Sequence, residues 1–115
     1  MTFEAFDVVV VPFPFTDRRA TKRRPALVLS QADTFGNRAG HSVLAMITSQ
    51  GQSPWPLDVA ISDGKSAGLS SPSTVRMKLF TLDHRLILRK AGRLARHDRQ
   101  TVIRSLESLL GWETK

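Results

Sequence analysis

Lys22-Arg23-Arg24-Pro25-Ala26-Leu27-Val28-Leu29-Ser30 joins a basic approach to an apolar run, with a proline at the junction. Pro25 fixes its own φ and biases Arg24 toward extended backbone. The pattern predicts a polar surface loop over residues 16–24 and a buried strand over 25–30. Arg24 then sits where a loop meets the sheet. A planar, permanently charged fork held in that way suits phosphate recognition. The same position also fits a solvated arginine ahead of a strand.

Working outward, Asp7-Val8-Val9-Val10-Val11 predicts a short strand buried on both faces. Pro12 and Pro14, interleaved with Phe13 and Phe15, are expected to end it, with both rings folded back as core. On the other side, Asp33, Gly36, Asn37 and Gly40 mark a loop over 31–42. Residues 43–48, with a start at Ser42, predict a third strand. It ends at Thr48-Ser49-Gln50-Gly51, where hydroxyl and amide groups emerge together. Pro54 and Pro56 flank Trp55 in a further loop, and residues 57–61 alternate as a half-buried strand. Over 73–80, Val75, Met77 and Leu79 share one face and Arg76 and Lys78 the other. That cationic stripe either meets solvent or lines a groove.

Residues 86–94 are expected to form the last strand, with a glycine at Gly92. Asp98 reads as a helix N-cap, and Val102, Ile103, Leu106, Leu109 and Leu110 recur at helical spacing up to a stop at Gly111. The apolar stripe of that helix is assigned to the core. The expected architecture is mainly β: five or six short strands in a small, strongly bent sheet or partly closed barrel, with a C-terminal helix. The length of 115 residues fits one domain over 1–115.

Seventeen Lys and Arg face ten Asp and Glu, a formal charge of +7. Five of the cations fall within residues 18–24 and nine within 76–104, so the charge is clustered rather than spread. Such clustering suits a polyanion or an acidic protein as partner, and it also fits a solvated basic face. The chain has no cysteine, which excludes disulfides and thiolate metal sites and is compatible with the cytoplasm. No apolar run approaches the ~20 residues of a membrane span. His41, His84 and His97 are not at metal-ligand spacing, and no glycine-rich phosphate loop occurs, so neither metal nor cofactor is expected. What remains is arginine, hydroxyl and backbone amide, which recognise phosphate and stabilise charge on a phosphorane-like transition state.

Three segments taken in order are similar to the PemK/MazF family of toxin endoribonucleases. They are Asp7-Val8-Val9-Val10-Val11-Pro12-Phe13-Pro14-Phe15, Arg23-Arg24-Pro25-Ala26-Leu27-Val28-Leu29-Ser30 and Ile47-Thr48-Ser49-Gln50. Gly68-Leu69, the strand through Val75 and Phe80-Thr81-Leu82-Asp83 resemble the family's closing segment. The resemblance implies a small barrel-like β fold, a homodimer, and metal-independent cleavage of single-stranded RNA at short sequence motifs. It also implies a cognate antitoxin with an acidic tail. The family's paired active-site arginine and threonine fall on Arg24 and Thr48. Arg18, Arg19, Lys22, Arg23, Ser49, Gln50 and Arg76 are the residues assigned to RNA binding.

Cleavage by 2′-hydroxyl attack needs a proton acceptor, a proton donor and stabilisation of the phosphorane oxygens. Arg24 suits the last role and is a poor proton shuttle, since its pKa exceeds ~12. Thr48 can donate a hydrogen bond to a phosphate oxygen. The proton-transferring group stays open, with His84 as a distant candidate. Two positions depart from the family: Phe6 stands where a glycine usually precedes the first-strand aspartate, and Arg23 stands where many relatives carry glycine. The same fold also hosts gyrase-poisoning toxins, whose Trp-Gly-Ile chain end is not matched by Gly111-Trp112. A non-catalytic module that binds nucleic acid or protein is the alternative from a different class.

Overall fold

The computed structural model describes residues 2–13 and 22–112. Six strands form one antiparallel sheet: β1 (Asp7–Phe13), β2 (Lys22–Val28), β3 (His41–Ser49), β4 (Val59–Ala60), β5 (Ser73–Asp83) and β6 (Arg89–Arg93). Their order is β4-β5-β3-β2-β1-β6, and the sheet curls into a half-barrel. A π-helical turn (Ala32–Gly36) runs into the short helix α1 (Asn37–Ala39), and helix α2 (Arg96–Leu110) ends the fold. No helix among the described residues is long and apolar enough to cross a membrane.

The unbroken valine run of β1 has a direct cause: both faces of the sheet are covered. Val8 and Leu27 join Ala45, Ile47, Val75 and the helix residue Val102 in one core cluster. Val9, Val11, Ala26, Val28 and Leu44 turn the other way and pack with Phe3, Leu82 and Ile87.

Both proline-marked boundaries lie elsewhere than the sequence suggests. β1 does not stop before Pro12 but continues to Phe13, and β2 begins at Lys22 rather than Pro25. Val11 pairs with Arg24, Pro12 with Arg23 and Phe13 with Lys22. Val10 accepts the Leu88 N–H from the β6 side. By the two-residue period Pro12 faces that same side, beyond the last β6 partner, so its missing N–H breaks no ladder bond. Arg24 is therefore a strand residue, not a junction residue.

Other expectations are revised in the same physical terms. The predicted loop over 31–42 contains a compact helical turn, in which the Gln31 carbonyl accepts the Phe35 and Gly36 N–H groups. The half-buried strand at 57–61 shrinks to two residues, because Leu57 adopts a φ of 66° and interrupts the extended chain. In β5 the pairing jumps from Ala45↔Leu79 to Met46↔Arg76, leaving Met77 and Lys78 in a bulge. Leu79 is consequently exposed instead of sharing the buried face of Val75 and Met77. The last strand is shorter than 86–94, since Asp83 accepts the Arg85 N–H and starts a tight turn over His84–Leu86.

Gly68 and Gly92 pin a loop to β6. A Cβ on Gly92 would lie 2.5 Å from the Ser66 carbonyl oxygen, and one on Gly68, whose φ is 74°, would lie 2.1 Å from that of Ala91. Only hydrogen fits at either position, so backbone meets backbone there.

Ala95, not Asp98, is the N-cap of helix α2. Asp98 lies buried in the first turn and accepts three hydrogen bonds: from the Ser62 N–H at 3.0 Å, the Ser62 hydroxyl at 2.7 Å and the Asp63 N–H at 3.0 Å. It ties the helix to the chain leaving β4. The apolar stripe is only partly core. Val102 is buried and Leu106 packs on the cluster, whereas Ile103, Leu109, Leu110 and Trp112 are exposed, Trp112 to 71%. Gly111 does end the helix, at a φ of 72°.

Burial raises the Asp98 pKa, but the hydrogen bonds from Ser62 and Asp63 outweigh it and hold the carboxyl below its usual value. Its stabilising contribution is thus complete above about pH 4 and disappears as acid titrates the folded carboxylate below that range. Asp98→Ala should lower the unfolding free energy by about 2–4 kcal/mol near neutrality, because three donors lose their acceptor. Urea melts at pH 7 and below pH 3 check this: the deficit should shrink at the acid end.

Candidate functional site

β2 and β3 pair as Ala26↔Met46, Leu27↔Ala45 and Val28↔Leu44, and there the ladder stops. Continuing that register would set Pro25 opposite Ile47 and Arg24 opposite Thr48. The Leu29 N–H bonds the Val43 carbonyl, so Leu27 and Pro25 also face β3 by the two-residue period. Pro25 has no N–H to give, and the strands part at that residue. The face that is apolar at Ala26 and Leu44 becomes polar along the same strands at Arg24 and Thr48.

An open cavity of about 930 Å³ lies where the ladder ends. β2 contributes Arg23, Arg24 and Pro25 to it, and β3 contributes Met46 to Ser49. The β5 bulge brings Lys78, Leu79 and Phe80 to another wall, and β6 adds Arg89 and Ala91. The loop held by Gly68 supplies Leu69, Ser70 and Ser71. Four cations and five hydroxyl side chains thus line the space, and among the described residues no carboxylate or imidazole does. Such a lining attracts an anion and donates hydrogen bonds to it.

The Arg24 guanidinium carbon lies 5.7 Å from the centre of the Phe13 ring. Arg24 pairs with Val11, so Phe13 is its diagonal neighbour on the same face. Phe13 is a partly exposed wall of the cavity, not core. Arg24 has no carboxylate partner among the described residues, which leaves its fork available to a ligand.

The structure gathers Arg23, Arg24, Thr48 and Ser49 at the cavity. Lys22 is exposed on β2, outside the cavity lining. Gln50 turns back to the sheet and donates to the Ser73 carbonyl at 3.3 Å. Arg76 is engaged elsewhere. It grips Asp58 through Nε at 3.2 Å and Nη2 at 3.0 Å, and donates to the Ser53 carbonyl at 2.7 Å. Its role in the fold is to clamp the 53–58 loop. Arg18 and Arg19 lie outside the described residues, as do Pro14 and Phe15. Sequence reasoning named Lys78 only as part of a stripe that meets solvent or lines a groove, and it missed Arg89 and the serines of the Gly68 loop. The bulge and the close glycine packing bring these to one place.

His84 is not among the residues that line the cavity. Its Nε2 lies 2.8 Å from the Ser42 hydroxyl, and its ring meets the Phe3 ring edge-on at 4.9 Å.

A family model for PemK-like, MazF-like toxins of type II toxin–antitoxin systems matches residues 4–110. The fold is similar to crystal structures of MazF from Deinococcus radiodurans. One is of MazF alone, with 25% identity, a TM-score of 0.73, and 96% of this chain and 98% of that one covered. Another is of MazE–MazF, with 24% identity, a TM-score of 0.73, and 96% and 97% covered. An endoribonuclease in complex with its cognate antitoxin, from a mycobacterial species, shares 15% identity at a TM-score of 0.74, with 99% and 98% covered. No curated protein matches the sequence significantly.

Burial, then the proximity of His41, lowers the His84 pKa from its ordinary value, against a smaller upward pull from Asp83. An unfolded histidine takes its proton near pH ~6.5, before the folded one does. The folded state should therefore lose stability as pH falls below about 6.5 and through the folded pKa. His84→Gln should flatten that part of the profile. Denaturant melts of both proteins between pH 5 and pH 8 test the assignment; identical slopes would contradict it.

Proposed function

The chain belongs to the PemK-like, MazF-like toxins of type II toxin–antitoxin systems, and from that premise we propose that it cuts single-stranded RNA without a metal, with Arg24 and Thr48 as the catalytic pair. The observation that carries the proposal is the end of the β2–β3 ladder at Pro25, which opens a cationic, hydroxyl-lined cavity between Arg24 and Thr48. A mycobacterial structural neighbour is an endoribonuclease, which supports the same reading.

In this mechanism the substrate's 2′-oxygen forms a bond to the adjacent phosphorus and the bond to the 5′-oxygen breaks. The products are a 2′,3′-cyclic phosphate and a 5′-hydroxyl. The proton lost by the 2′-hydroxyl must leave, and one must reach the 5′-oxygen. Negative charge builds on the non-bridging oxygens in between. The Arg24 fork meets that charge with two parallel N–H donors, and the Thr48 hydroxyl adds a third. Arg23, Lys78 and Arg89 hold the flanking phosphates. His84 is given no part in proton transfer, because it does not line the cavity and its ring is bonded to Ser42. Among the described residues, no group of His, Cys, Asp and Glu is placed to hold a metal ion.

The chain acts as a homodimer, to which the exposed Ile103, Leu109, Leu110 and Trp112 offer an apolar surface. It is a single-domain cytoplasmic toxin neutralised by a cognate antitoxin whose acidic tail enters the same cavity.

Arg24→Ala should abolish cleavage, and Thr48→Ala should slow it by about 10²–10³, as for a lost transition-state donor. The assay is purified protein with single-stranded RNA in EDTA, with melting curves to show that each variant folds. Wild-type rates in both variants would remove these residues from the site. Bound but uncut RNA with the unaltered protein would favour a binding module.

Antitoxin and RNA should compete, because both need the same guanidiniums. Antitoxin association should slow as salt rises, as electrostatic steering requires. Titrating cognate antitoxin into RNA-bound toxin should release the RNA. A stable ternary complex with RNA still on Arg24 would rule out competition.

A further inference from the structure

Trp55 is an exposed aromatic ring on a loop that is held unusually firmly. Pro54 and Pro56 restrict the chain on either side of it. The Trp55 N–H donates to the Asp58 carboxylate at 3.2 Å, and the Asp58 N–H returns to the Trp55 carbonyl at 3.2 Å. Arg76 then locks Asp58 with two hydrogen bonds and catches the Ser53 carbonyl with a third. The Arg76 and Asp58 side chains are only 13% and 23% exposed. Leu57, between Trp55 and Asp58 in sequence, is held at a φ of 66°, which a branched side chain adopts only against strain. All this order surrounds a tryptophan that leaves 40% of its surface in solvent.

The ring also adjoins the cavity. Lys78, one of the cavity cations, lies with its Nζ 4.5 Å from the Trp55 ring centre, and Gln52 of the same loop lines the cavity. No carboxylate pairs with Lys78 among the described residues. The Arg76 guanidinium carbon also lies 5.9 Å from the ring centre, fixed there by Asp58, whereas the flexible Lys78 stem can swing from the ring to a phosphate and free the π surface it covers.

We propose that Trp55 is a stacking platform for an unpaired nucleobase of the RNA, next to the phosphates held in the cavity, with Lys78 as the hinged cation that trades the ring for a phosphate. The proposal rests on the RNA-cleaving reading and extends it by one base-binding residue. A nucleobase fits the ring better than an acidic peptide does, because the electron-rich face of indole repels carboxylates and stacks on any base. Proximity to Lys78 satisfies the other half of a nucleotide. Stacking tolerates every base, so Trp55 supplies affinity and register, and selection among sequences falls to other groups.

The test uses full-length protein carrying Trp112→Phe, so that Trp55 alone reports by fluorescence. Two labelled probes of equal length and charge are titrated: a random-sequence single-stranded 2′-O-methyl RNA, which lacks the attacking hydroxyl and stays intact, and an oligomer of abasic sugar phosphates. Binding is read separately from label anisotropy. Trp55 emission should be quenched in step with anisotropy by the base-containing probe. Trp55→Ala should weaken that probe about tenfold, Trp55→Phe much less, and neither should change abasic binding by more than about twofold. Equal losses on both probes would reduce Trp55 to a prop for Lys78 and Arg76 and overturn the platform. Binding without any change in Trp55 emission would overturn it too, with the RNA reading intact. Failure of both probes to bind would defeat the RNA reading and the platform together, an outcome distinct from either of the others.

Discussion

One missing hydrogen-bond donor shapes the site. Pro25 faces β3 within a strand that is otherwise ordinary, and with no N–H there the β2–β3 ladder stops at Ala26. A sheet interior normally has no room for a ligand, because neighbouring strands lie ~4.8 Å apart. Where pairing lapses, two strands can diverge while each keeps its other neighbour. β2 stays paired with β1 as far as Lys22, and β3 stays paired with β5 as far as Ser49. Arg24 and Thr48 are thus carried on backbone anchored on the outer side and open on the inner side. That arrangement preorganises them better than a loop would.

The far walls depend on a different constraint, which is contact between backbones. Gly68 and Gly92 let the 66–68 segment lie directly on β6, with the Arg93 N–H bonded to the Ser66 carbonyl at 3.0 Å. Ser70 and Ser71 reach the cavity only because that segment docks so closely. Buried Asp98 secures the other end of the same connection by accepting from Ser62 and Asp63. A charge buried this deeply is tolerated because three donors solvate it in place of water. Helix, loop and edge strand therefore share one set of restraints, all serving the wall opposite Arg24.

The fold class was legible because its signals are local. Valine-rich runs, proline and glycine punctuation and a helical apolar period each depend on a few neighbouring residues. Arg24 and Thr48 were singled out for a different reason: an ordered set of short segments resembles a known family. Local reading failed where the outcome depended on a partner strand. Pro12 looked like a terminator, yet it sits where β6 no longer pairs, so nothing is broken. Leu79 alternated correctly with Val75, yet the bulge at Met77 and Lys78 turned it outward. Arg76 looked like its neighbour Lys78, yet Asp58 comes close enough to claim it. The sequence carries the identity of each cation but not the distance to the nearest carboxylate, and that distance decides whether a cation binds substrate or holds a loop.

Two non-glycine residues hold left-handed backbone, and the fold accommodates them in different ways. Phe6 occupies the position where a glycine is usual in the resembling family, and its φ of 73° is one that glycine adopts freely. The backbone there is fixed from both directions: the Phe6 N–H bonds the Val28 carbonyl at 2.7 Å, and its carbonyl accepts the Leu94 N–H at 3.0 Å. The geometry therefore survives replacement of glycine, at a cost of about 1–2 kcal/mol for a left-handed non-glycine residue. The half-buried Phe6 ring offsets part of this by packing on the core cluster that holds Val8 and Leu94. Strain at Phe6 is thus partly compensated on the spot. Leu57 has a similar φ of 66° but stays exposed, so local packing does little to offset its strain. Compensation there must come from the loop as a whole, through the Arg76–Asp58 clamp. The contrast separates a tolerated substitution at Phe6 from a loop held in tension at Leu57, and the residue beside that tension is the exposed ring of Trp55.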